Sequence, residues 1–521
     1  MKNLFYRILV FVLVISLGGC QDFLEEDARG LLTPSSFFQN EDEANLALNG
    51  LIATMRDNDV SGQGMIRQQT MGTDVCVSGR FALAGAWLHS LYNLQVDNGA
   101  IFNIWADLYS GVKDANFIIA SVENSSLSDE IKGATIAQAQ FYRAYFYYRL
   151  TTMFGDVPFW LDELNIEEVS LLGSTPVAEI QERMILDLDQ AINAGFLATS
   201  TWGDNGGRPT VWAARMMKAH LHMWQQQWPE ARTELSTLIN NSPHGTTLMP
   251  YGDIYRGGNE LNSEIIFGVE YLTGVIGNTM NNQTHFNAAG ETAEAIAAHN
   301  ELGIFARAAA ITWRRSFANS YADEDARKPY NVFDRFTFPS TGEEVFFNNA
   351  YVPKFMRDVV PVSDPLMIVP DANGQGGATI NLMTLSEAYL LLAECEFEIG
   401  GSSGVALEAI NVVRRRANLT DLTALTIEDI RQERAWELAG EGMGRKNDLI
   451  RWGILEETVQ GIAAAETAAG AIQLAIDRAV DEAANIAAGP AGRFNFLPIP
   501  LVDILNSQQI GGALEQNPLW E

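Results

Sequence analysis

Residues 135–154 constrain the fold more than any other segment, because they form a predicted helix that is apolar on nearly every side. One face carries Phe141, Tyr145 and Tyr148, and another carries Tyr142, Phe146 and Met153. A helix of this kind is buried between layers of other secondary structure. Gly155 and Pro158 follow it, and both residue types are common just after the end of a helix. The chain is therefore expected to cover this helix from more than one side.

Other segments have the periodicity and end signals of helices joined in pairs. Residues 211–240 read as a helical hairpin that turns at Pro229, and residues 382–418 read as a second hairpin that turns at the glycine-rich segment 400–404. Helical pairs of this kind occupy roughly 100–245 and 380–455. Four pairs of about tetratricopeptide size predict a mainly all-α fold, a right-handed α–α superhelix with minor β structure.

Two long excursions interrupt the helical pattern, roughly at 60–97 and at 250–380. The first is rich in glycine, serine and isolated aromatic residues, and the second contains strand-like pieces near 264–269, 336–338 and 344–347. Long ordered insertions on a rigid array are usually binding surface. A further stretch, 463–488, is rich in alanine and is expected to be a solvent-facing helical insertion without chemistry.

Composition excludes several classes of protein. The chain has 521 residues with 34 basic and 65 acidic side chains, a formal charge of −31, which disfavours nucleic-acid binding. Hydrophobic residues make up 47% of the chain, enough for a sizeable core, so the chain as a whole is not disordered. Three cysteines exclude a disulfide scaffold and a cysteine-built zinc module. A disulfide between Cys76 and Cys395 is not expected.

The first residues have the features of an export signal. Lys2 and Arg7 precede a short apolar run that ends in Leu-Gly-Gly before Cys20. This pattern resembles a bacterial lipobox, which predicts cleavage of residues 1–19 and lipidation of Cys20; an ordinary secretory signal with an incidental cysteine is the alternative. The acidic residues that follow resemble a surface-export signal of outer-membrane lipoproteins in Bacteroidota-type bacteria. The mature chain, 20–521, is then expected to be anchored to a membrane by the lipid on Cys20.

Several motifs match one family in order along the chain. They are FYRAYFYYRL (141–150) with FGDVP (154–158), IRQER (430–434) with ELAGEG (437–442), RKNDLIRWG (445–453), and LPIP (497–500) with QNP (516–518). Together with the lipobox they resemble the SusD/RagB-like lipoproteins from end to end, which implies a single SusD-like domain over 20–521.

This resemblance implies a function and a location. Members of the family are lipid-anchored on the extracellular face of the outer membrane, bind oligosaccharides, and close over a SusC-like TonB-dependent barrel. The helical pairs would face the barrel and the irregular half would carry the ligand site. A peptide-binding RagB-like importer subunit is the alternative. A surface enzyme that cleaves glycans is a further one, although no catalytic motif lies in its proper structural setting. The chain is therefore expected not to be an enzyme.

Candidate ligand-binding residues come from the two excursions, where the family has its stacking aromatics. Sugars need flat aromatic surfaces and planar polar groups around them. Trp87 and Trp313 are the expected platforms, and Asp74, Asn278 and Arg314 the expected polar contacts. Tyr92 and Tyr271 are further candidates in the same segments. The alternative is that the two tryptophans only anchor loops to the scaffold.

Charged and metal-like patterns elsewhere are interpreted as structural. The charged residues of 434–451 have spacings that fit ion pairs along a helix, so they are expected to hold the last helices together rather than to do acid–base chemistry. The segment 400–404 fits G-x-S-x-G but joins two predicted helices, whereas a nucleophile elbow follows a strand. No cofactor or metal site is predicted, although so acidic a chain could hold a structural calcium ion.

Overall fold

The computed structural model describes residues 37–78, 91–255, 258–272, 275–277, 291–301, 311–338, 341–352, 354 and 376–521. The α-helices of the first half are α1 (Glu41–Met55), α2 (Gln63–Thr70), α3 (Gly99–Glu123), α4 (Asp129–Phe154), α5 (Ile166–Ser170), α6 (Val177–Asn193), α7 (Val211–Trp224), α8 (Trp228–Asn241) and α9 (Tyr251–Ile254). Those that follow are α10 (Ala293–Glu301), α11 (Arg315–Ser320), α12 (Lys328–Asn331), α13 (Leu385–Gly400), α14 (Gly404–Arg416), α15 (Ile427–Glu437), α16 (Arg445–Arg451), α17 (Leu455–Ala468), α18 (Gln473–Ala487) and α19 (Leu501–Gln509).

The strands of the described ranges form two small antiparallel sheets. They are β1 (Cys76–Ser78), β2 (Ile265–Val269), β3 (Ile311–Trp313), β4 (Phe333–Thr337), β5 (Glu344–Tyr351) and β6 (Ile380–Thr384). One sheet has the order β1-β3-β5-β4, and the other pairs β2 with β6. The mainly helical fold with minor β structure is confirmed. Strands β2, β4 and β5 overlap the predicted strand-like pieces of the second excursion, whereas β1, β3 and β6 fall outside those pieces.

Helix α4 is the buried centre of the helical part, as its sequence predicts. It packs against α3 and α6, and also against α1 and α7. Nearly every side chain from Thr135 onward is buried, and Gly155 ends the helix with φ +80°. The buried Arg143 joins three helices, because its Nη2 lies 2.6 Å from Asp187 Oδ2 on α6 and its Nη1 donates to Asn116 Oδ1 on α3 at 2.8 Å.

The helices then pack in sequence, each against the next. Helix α6 packs on α7, α7 on α8, α8 on α13, and α13 on both α14 and α15. The second excursion is thus inserted between α8 and α13, which are neighbours in space. Strands β2 and β6 close its two ends, with Val269 opposite Ile380 and Ile265 opposite Thr384. The two predicted helical hairpins are confirmed as α7–α8 and α13–α14, and the 400–404 segment joins two helices as expected.

The alanine-rich hairpin α17–α18 differs from its prediction. It was expected to face solvent, but one side is buried: Val459, Ile462, Ala479 and Ile486 form an apolar cluster with Tyr92. Its two acidic residues on this side, Glu466 and Glu482, are also buried, each 1% exposed. The hairpin therefore packs against the rest of the protein through a stripe of spaced apolar and acidic side chains.

The charged residues of 434–451 are structural, as predicted, but they join different elements instead of forming a ladder along one helix. Arg434 makes two hydrogen bonds with Asp448, at 2.9 and 2.8 Å, and so links α15 to α16. Arg451 pairs with Glu394 of α13, and Glu437 pairs with Arg416 of α14. Only the longer Arg451–Asp448 contact, 3.4 Å, runs within a helix.

Both described cysteines are buried and unbonded, in agreement with the expectation for Cys76 and Cys395. Within the described ranges, every helix falls short of the length and apolarity needed to cross a bilayer.

Candidate ligand-binding region

The two excursions meet in one sheet. Strand β1 of the first excursion pairs with β3 of the second, with Cys76 opposite Trp313 and Ser78 opposite Ile311. The backbone N–H of Arg314 extends this pairing by donating to the Val75 carbonyl at 2.9 Å. Strand β5 then pairs with β3 and β4. We call this four-stranded unit, with the hairpin α17–α18 packed on it, the sheet region.

Trp313 lies inside the sheet region. Its side chain is 2% exposed, its Nε1 donates to the Asn331 carbonyl at 2.6 Å, and its ring meets Phe317 edge to face at a centroid distance of 5.9 Å. A sugar stacks on an open aromatic face, and this structure offers none at Trp313. The placement favours the anchoring alternative for this tryptophan.

Arg314 is a buried tie rather than an open polar contact. It is 1% exposed, its Nη2 lies 2.6 Å from Glu482 Oε2, and its Nε donates to the Thr73 carbonyl. Burial alone would lower the pKa of this guanidinium, but the carboxylates of Glu482 and Glu466 reverse that effect and raise it. The side chain stays charged and connects β3, the residues before β1, and α18.

The other described candidates are also held by the protein itself. Tyr92 is buried and donates to the Gly72 carbonyl at 2.6 Å, and Tyr271 is buried and donates to the Arg56 carbonyl at 3.3 Å. Asp74 accepts two hydrogen bonds from Arg445, at 2.9 and 2.6 Å, but its side chain keeps 33% exposure. Among the described candidates, Asp74 therefore retains the most surface for a ligand.

Three of the predicted residues lie outside the described residues. Trp87 and Asn278 belong to the ligand-side excursions, and Cys20 is the lipidation site. Their roles stay predictions.

The structure adds an aromatic residue that the sequence interpretation missed. Phe346 on β5 is 54% exposed, and the guanidinium of Arg335 lies 4.9 Å from its ring centroid. Its neighbours Val345 and Phe347 point into the apolar cluster around β4 and β5. Since strand residues alternate between faces, this placement was readable from the predicted strand 344–347. An exposed aromatic ring gives a flat apolar surface on which a sugar can stack.

A buried acid at the helical end of the molecule has a strongly shifted pKa. Burial raises the pKa of Glu387 to about 7, against the opposing charge of Arg434, and burial lowers that of His220 to about 3. The His220 Nε2 lies 3.6 Å from Glu387 Oε1. Shifted pKa values are common in active sites, but both side chains are closed to solvent, at 0% and 5% exposure, so a substrate cannot reach them.

Three carboxylates could hold a cation. Oxygens of Asp57, Asp59 and Asp107 all lie within 4.8 Å of one another, the one such group among the described residues. Burial and the neighbouring Asp57 raise the pKa of Asp107 to about 7. Carboxylate oxygens suit a calcium ion, and this is where the described part of the chain could take one.

Two family models match the chain. One, described as the SusD family, matches residues 354–520, and the other, described as starch-binding associating with outer membrane, matches residues 22–221. The two matches include the motifs that carry the resemblance seen in the sequence.

Known relatives and solved structures agree with these matches. The SusD-like protein P25 of Formosa agariphila is 30% identical over 500 residues, which cover 88% of this chain and 91% of the relative. A SusD homolog from Bacteroides thetaiotaomicron superposes with a TM-score of 0.76 at 18% identity, over 94% of this chain and 98% of that one.

A second solved structure is the surface glycan-binding protein A from Bacteroides thetaiotaomicron in complex with laminarihexaose, with a TM-score of 0.71 at 19% identity over 91% of this chain and 99% of that one. At these identities the solved structures establish the shared fold. The P25 relative, by its identity and coverage, establishes more: this chain belongs to the SusD family.

Proposed function

We propose that the chain is a cell-surface glycan-binding lipoprotein that captures oligosaccharides and delivers them to a SusC-like TonB-dependent transporter of the outer membrane. The observation that carries the proposal is the match, over nearly the whole chain, to a surface glycan-binding protein that holds laminarihexaose. The family description that mentions association with the outer membrane supports the location. Lipidated Cys20 would provide the anchor on the extracellular face.

The ligand is proposed to lie on the sheet region. Long excursions from a rigid helical array meet there, and Asp74 and Phe346 keep exposed surface on it. Trp87 and Asn278 are proposed to complete the site. Solved structures of the same fold are described as a laminarin-binding protein and a surface glycan-binding protein, so the proposed role is binding without bond chemistry.

Affinity purification from the native envelope tests the delivery and the anchor together. We expect the wild-type chain to co-isolate with a large β-barrel protein in about equal amount and to fractionate with membranes. The Cys20→Ala variant should lose its firm membrane attachment, since one lipid-bearing residue is the proposed anchor. Recovery of the wild-type chain alone under gentle detergents would contradict the partner, and unchanged membrane attachment of the variant would contradict the anchor.

A further inference from the structure

A polar cavity of about 360 Å³ opens next to β2, and neither Asp74 nor Phe346 belongs to its lining. It lies between the C-terminal half of α1, helix α4, the turn before α7, and the end of β2. The residues that matter for its chemistry are Asn49, Arg56, Tyr142, Arg208, Phe267 and Glu270. Its volume falls in the range of about 300–1,000 Å³ that is typical of small-molecule sites.

Arg56 is held in place without using the ends of its guanidinium. Its Nε donates to the Glu270 carbonyl at 3.0 Å, and its own carbonyl accepts from the Tyr271 hydroxyl at 3.3 Å. Within the described part of the chain, its two terminal nitrogens make no hydrogen bond and no ion pair. They are therefore available to a ligand in the cavity.

Arg208 reaches the same cavity from a tight turn. Gly206 and Gly207 have φ values of +64° and +76°, a conformation that side chains with a Cβ rarely adopt. The Arg208 Nη2 donates to Asn49 Oδ1 at 2.9 Å and its Nη1 to Gln138 Oε1 at 3.5 Å. Both acceptors are neutral amides, so the charge of this guanidinium is not compensated by a carboxylate among the described residues.

Arg56 and Arg208 both line this cavity, and neither pairs with a carboxylate of the described residues. This is unusual in a chain whose 65 acidic side chains outnumber its 34 basic ones. Both arginines act on the Tyr142 phenol: burial raises the pKa of Tyr142, and the charges of Arg208 and Arg56 oppose that shift. The cavity also contains the carboxylate of Glu270, which makes no ion pair with either arginine. Two positive groups and one negative group leave a net positive charge.

We propose that this cavity binds the anionic group of an acidic saccharide, either a uronate carboxylate or a sulfate ester. The planar fork of an arginine matches both anions in geometry and charge, so Arg56 and Arg208 would hold the anion. Glu270 and Tyr142 would form hydrogen bonds with hydroxyl groups of the same sugar. Phe267 gives the cavity an apolar wall. The choice of a saccharide over an acidic peptide rests on the proposed function.

Titration calorimetry of the mature chain tests the ligand class. The probes are tetragalacturonate, a sulfated carrageenan tetrasaccharide, an acidic hexapeptide, and a panel of neutral oligosaccharides that includes laminarihexaose. We expect at least one acidic saccharide to bind, with an affinity that falls about tenfold or more between low and high salt because the contact is between opposite charges. The binding of any neutral probe should change little with salt.

Variants of the cavity test the place of binding. Arg56→Gln and Arg208→Gln should each lower the affinity for the acidic saccharide about tenfold, the expected loss for a hydrogen bond to a charged group. Arg232→Gln is the matched control, because this arginine on α8 is 41% exposed and lies outside the cavity. Thermal melting of the same samples shows whether each variant is folded, and the salt dependence of the wild type needs no variant.

The outcomes separate this inference from the proposed function. Unchanged affinity for the acidic saccharide in both cavity variants would overturn the site. Binding of the acidic peptide but of no acidic saccharide by the wild-type chain would also overturn the site. Binding of neutral oligosaccharides but of no acidic saccharide would overturn the site and leave the proposed function standing. A chain that binds no saccharide of any kind would overturn both. Preference for the uronate or for the sulfate identifies the source of the anion.

Discussion

Burial decides what an aromatic residue of the sheet region can do. Trp313 is 2% exposed and hydrogen-bonded through its indole N–H, whereas Phe346 is 54% exposed. Removing a buried aromatic side chain leaves a cavity, and removing an exposed one does not. The two residues therefore give opposite signatures when each is truncated.

The first prediction compares these truncations. Trp313→Ala should lower the free energy of unfolding by about 3–5 kcal/mol, the usual cost of emptying a large aromatic position in a core. Phe346→Ala should change it by no more than about 0.5 kcal/mol, as for most surface positions. It should instead weaken oligosaccharide binding several-fold, since an aromatic contact contributes about 0.5–1.5 kcal/mol beyond burial. Denaturant unfolding and titration calorimetry of both variants measure this.

A stable Trp313→Ala variant with weakened binding would contradict the anchoring role and restore the stacking role. A Phe346→Ala variant that binds like wild type would exclude this phenylalanine from the site.

A second residue-scale prediction concerns Glu387, whose pKa burial raises to about 7 from an ordinary value of 4.5. Between these values the unfolded chain has already lost the proton that the folded chain still holds, so stability falls as pH rises from about 4.5 to 7. Glu387→Gln keeps the shape of the protonated side chain and removes this titration. Its melting temperature should match wild type near pH 4.5 and exceed it at pH 8.

Thermal unfolding across this pH range makes the comparison, and Glu396→Gln on the same helix is the matched control, because Glu396 is only partly buried. The gain for Glu387→Gln at pH 8 should be on the order of 2–3 kcal/mol. If the variant keeps the full pH dependence of the wild type, Glu387 is not the group responsible.

At the scale of elements, the hairpin α17–α18 shows how the sheet region is held. Glu466 accepts hydrogen bonds from the N–H and the hydroxyl of Ser316, at 2.8 and 2.6 Å, and so caps the start of α11. Glu482 pairs with the buried Arg314 at 2.6 Å. The hairpin thus acts as a clamp on β3 and α11 through two carboxylates.

Glu482→Gln tests the clamp. It leaves the guanidinium of Arg314 buried without its carboxylate, and breaking a buried pair in this way typically costs about 3–5 kcal/mol. Native-state hydrogen exchange should show faster exchange for amides of β1, β3 and α18, with α7 and α8 unchanged. Asp481→Asn, at the exposed neighbouring position, should exchange like wild type. Equal exchange in the two variants would contradict the clamp.

The elements differ in how far the sequence predicts them. The hairpins α7–α8 and α13–α14 follow from periodicity and turn residues, since these are local signals. Glu482 and Arg314 are far apart in the chain, so nothing local pairs them. The stripe of Val459, Ile462 and Glu466 has helical spacing, but the alanine-rich sequence around it is typical of a solvent-facing helix.

The candidate site was less predictable than the fold, for the same reason. Whether Trp313 is open or buried depends on the pairing of β3 with β1 and β5. The pairing with β1 places Trp313 opposite Cys76, which is more than two hundred positions earlier in the chain. The outward position of Phe346 was readable from strand alternation alone. Side-chain exposure in an excursion is decided by packing, and packing between distant segments has no signature in a single sequence.

At the scale of the whole molecule, a rigid helical array carries a smaller β-rich side. Helices α6, α7, α8 and α13 pack in succession, and the second excursion leaves and re-enters between α8 and α13 through β2 and β6. This arrangement separates a helical surface from the sheet region. It suits a protein that contacts a transporter with one side and a ligand with another, which is the proposed function.

The central claim is that the mature chain binds an oligosaccharide and leaves it intact. Titration calorimetry with oligosaccharides of defined length measures the binding. Mass spectrometry of the sugar recovered from the calorimeter's sample cell then shows whether the same sugar is still intact. The account predicts saturable binding and recovery of the sugar at its original length. Recovery of shortened sugar would show that the chain is an enzyme, and the absence of binding to every oligosaccharide would show that it is not a glycan receptor.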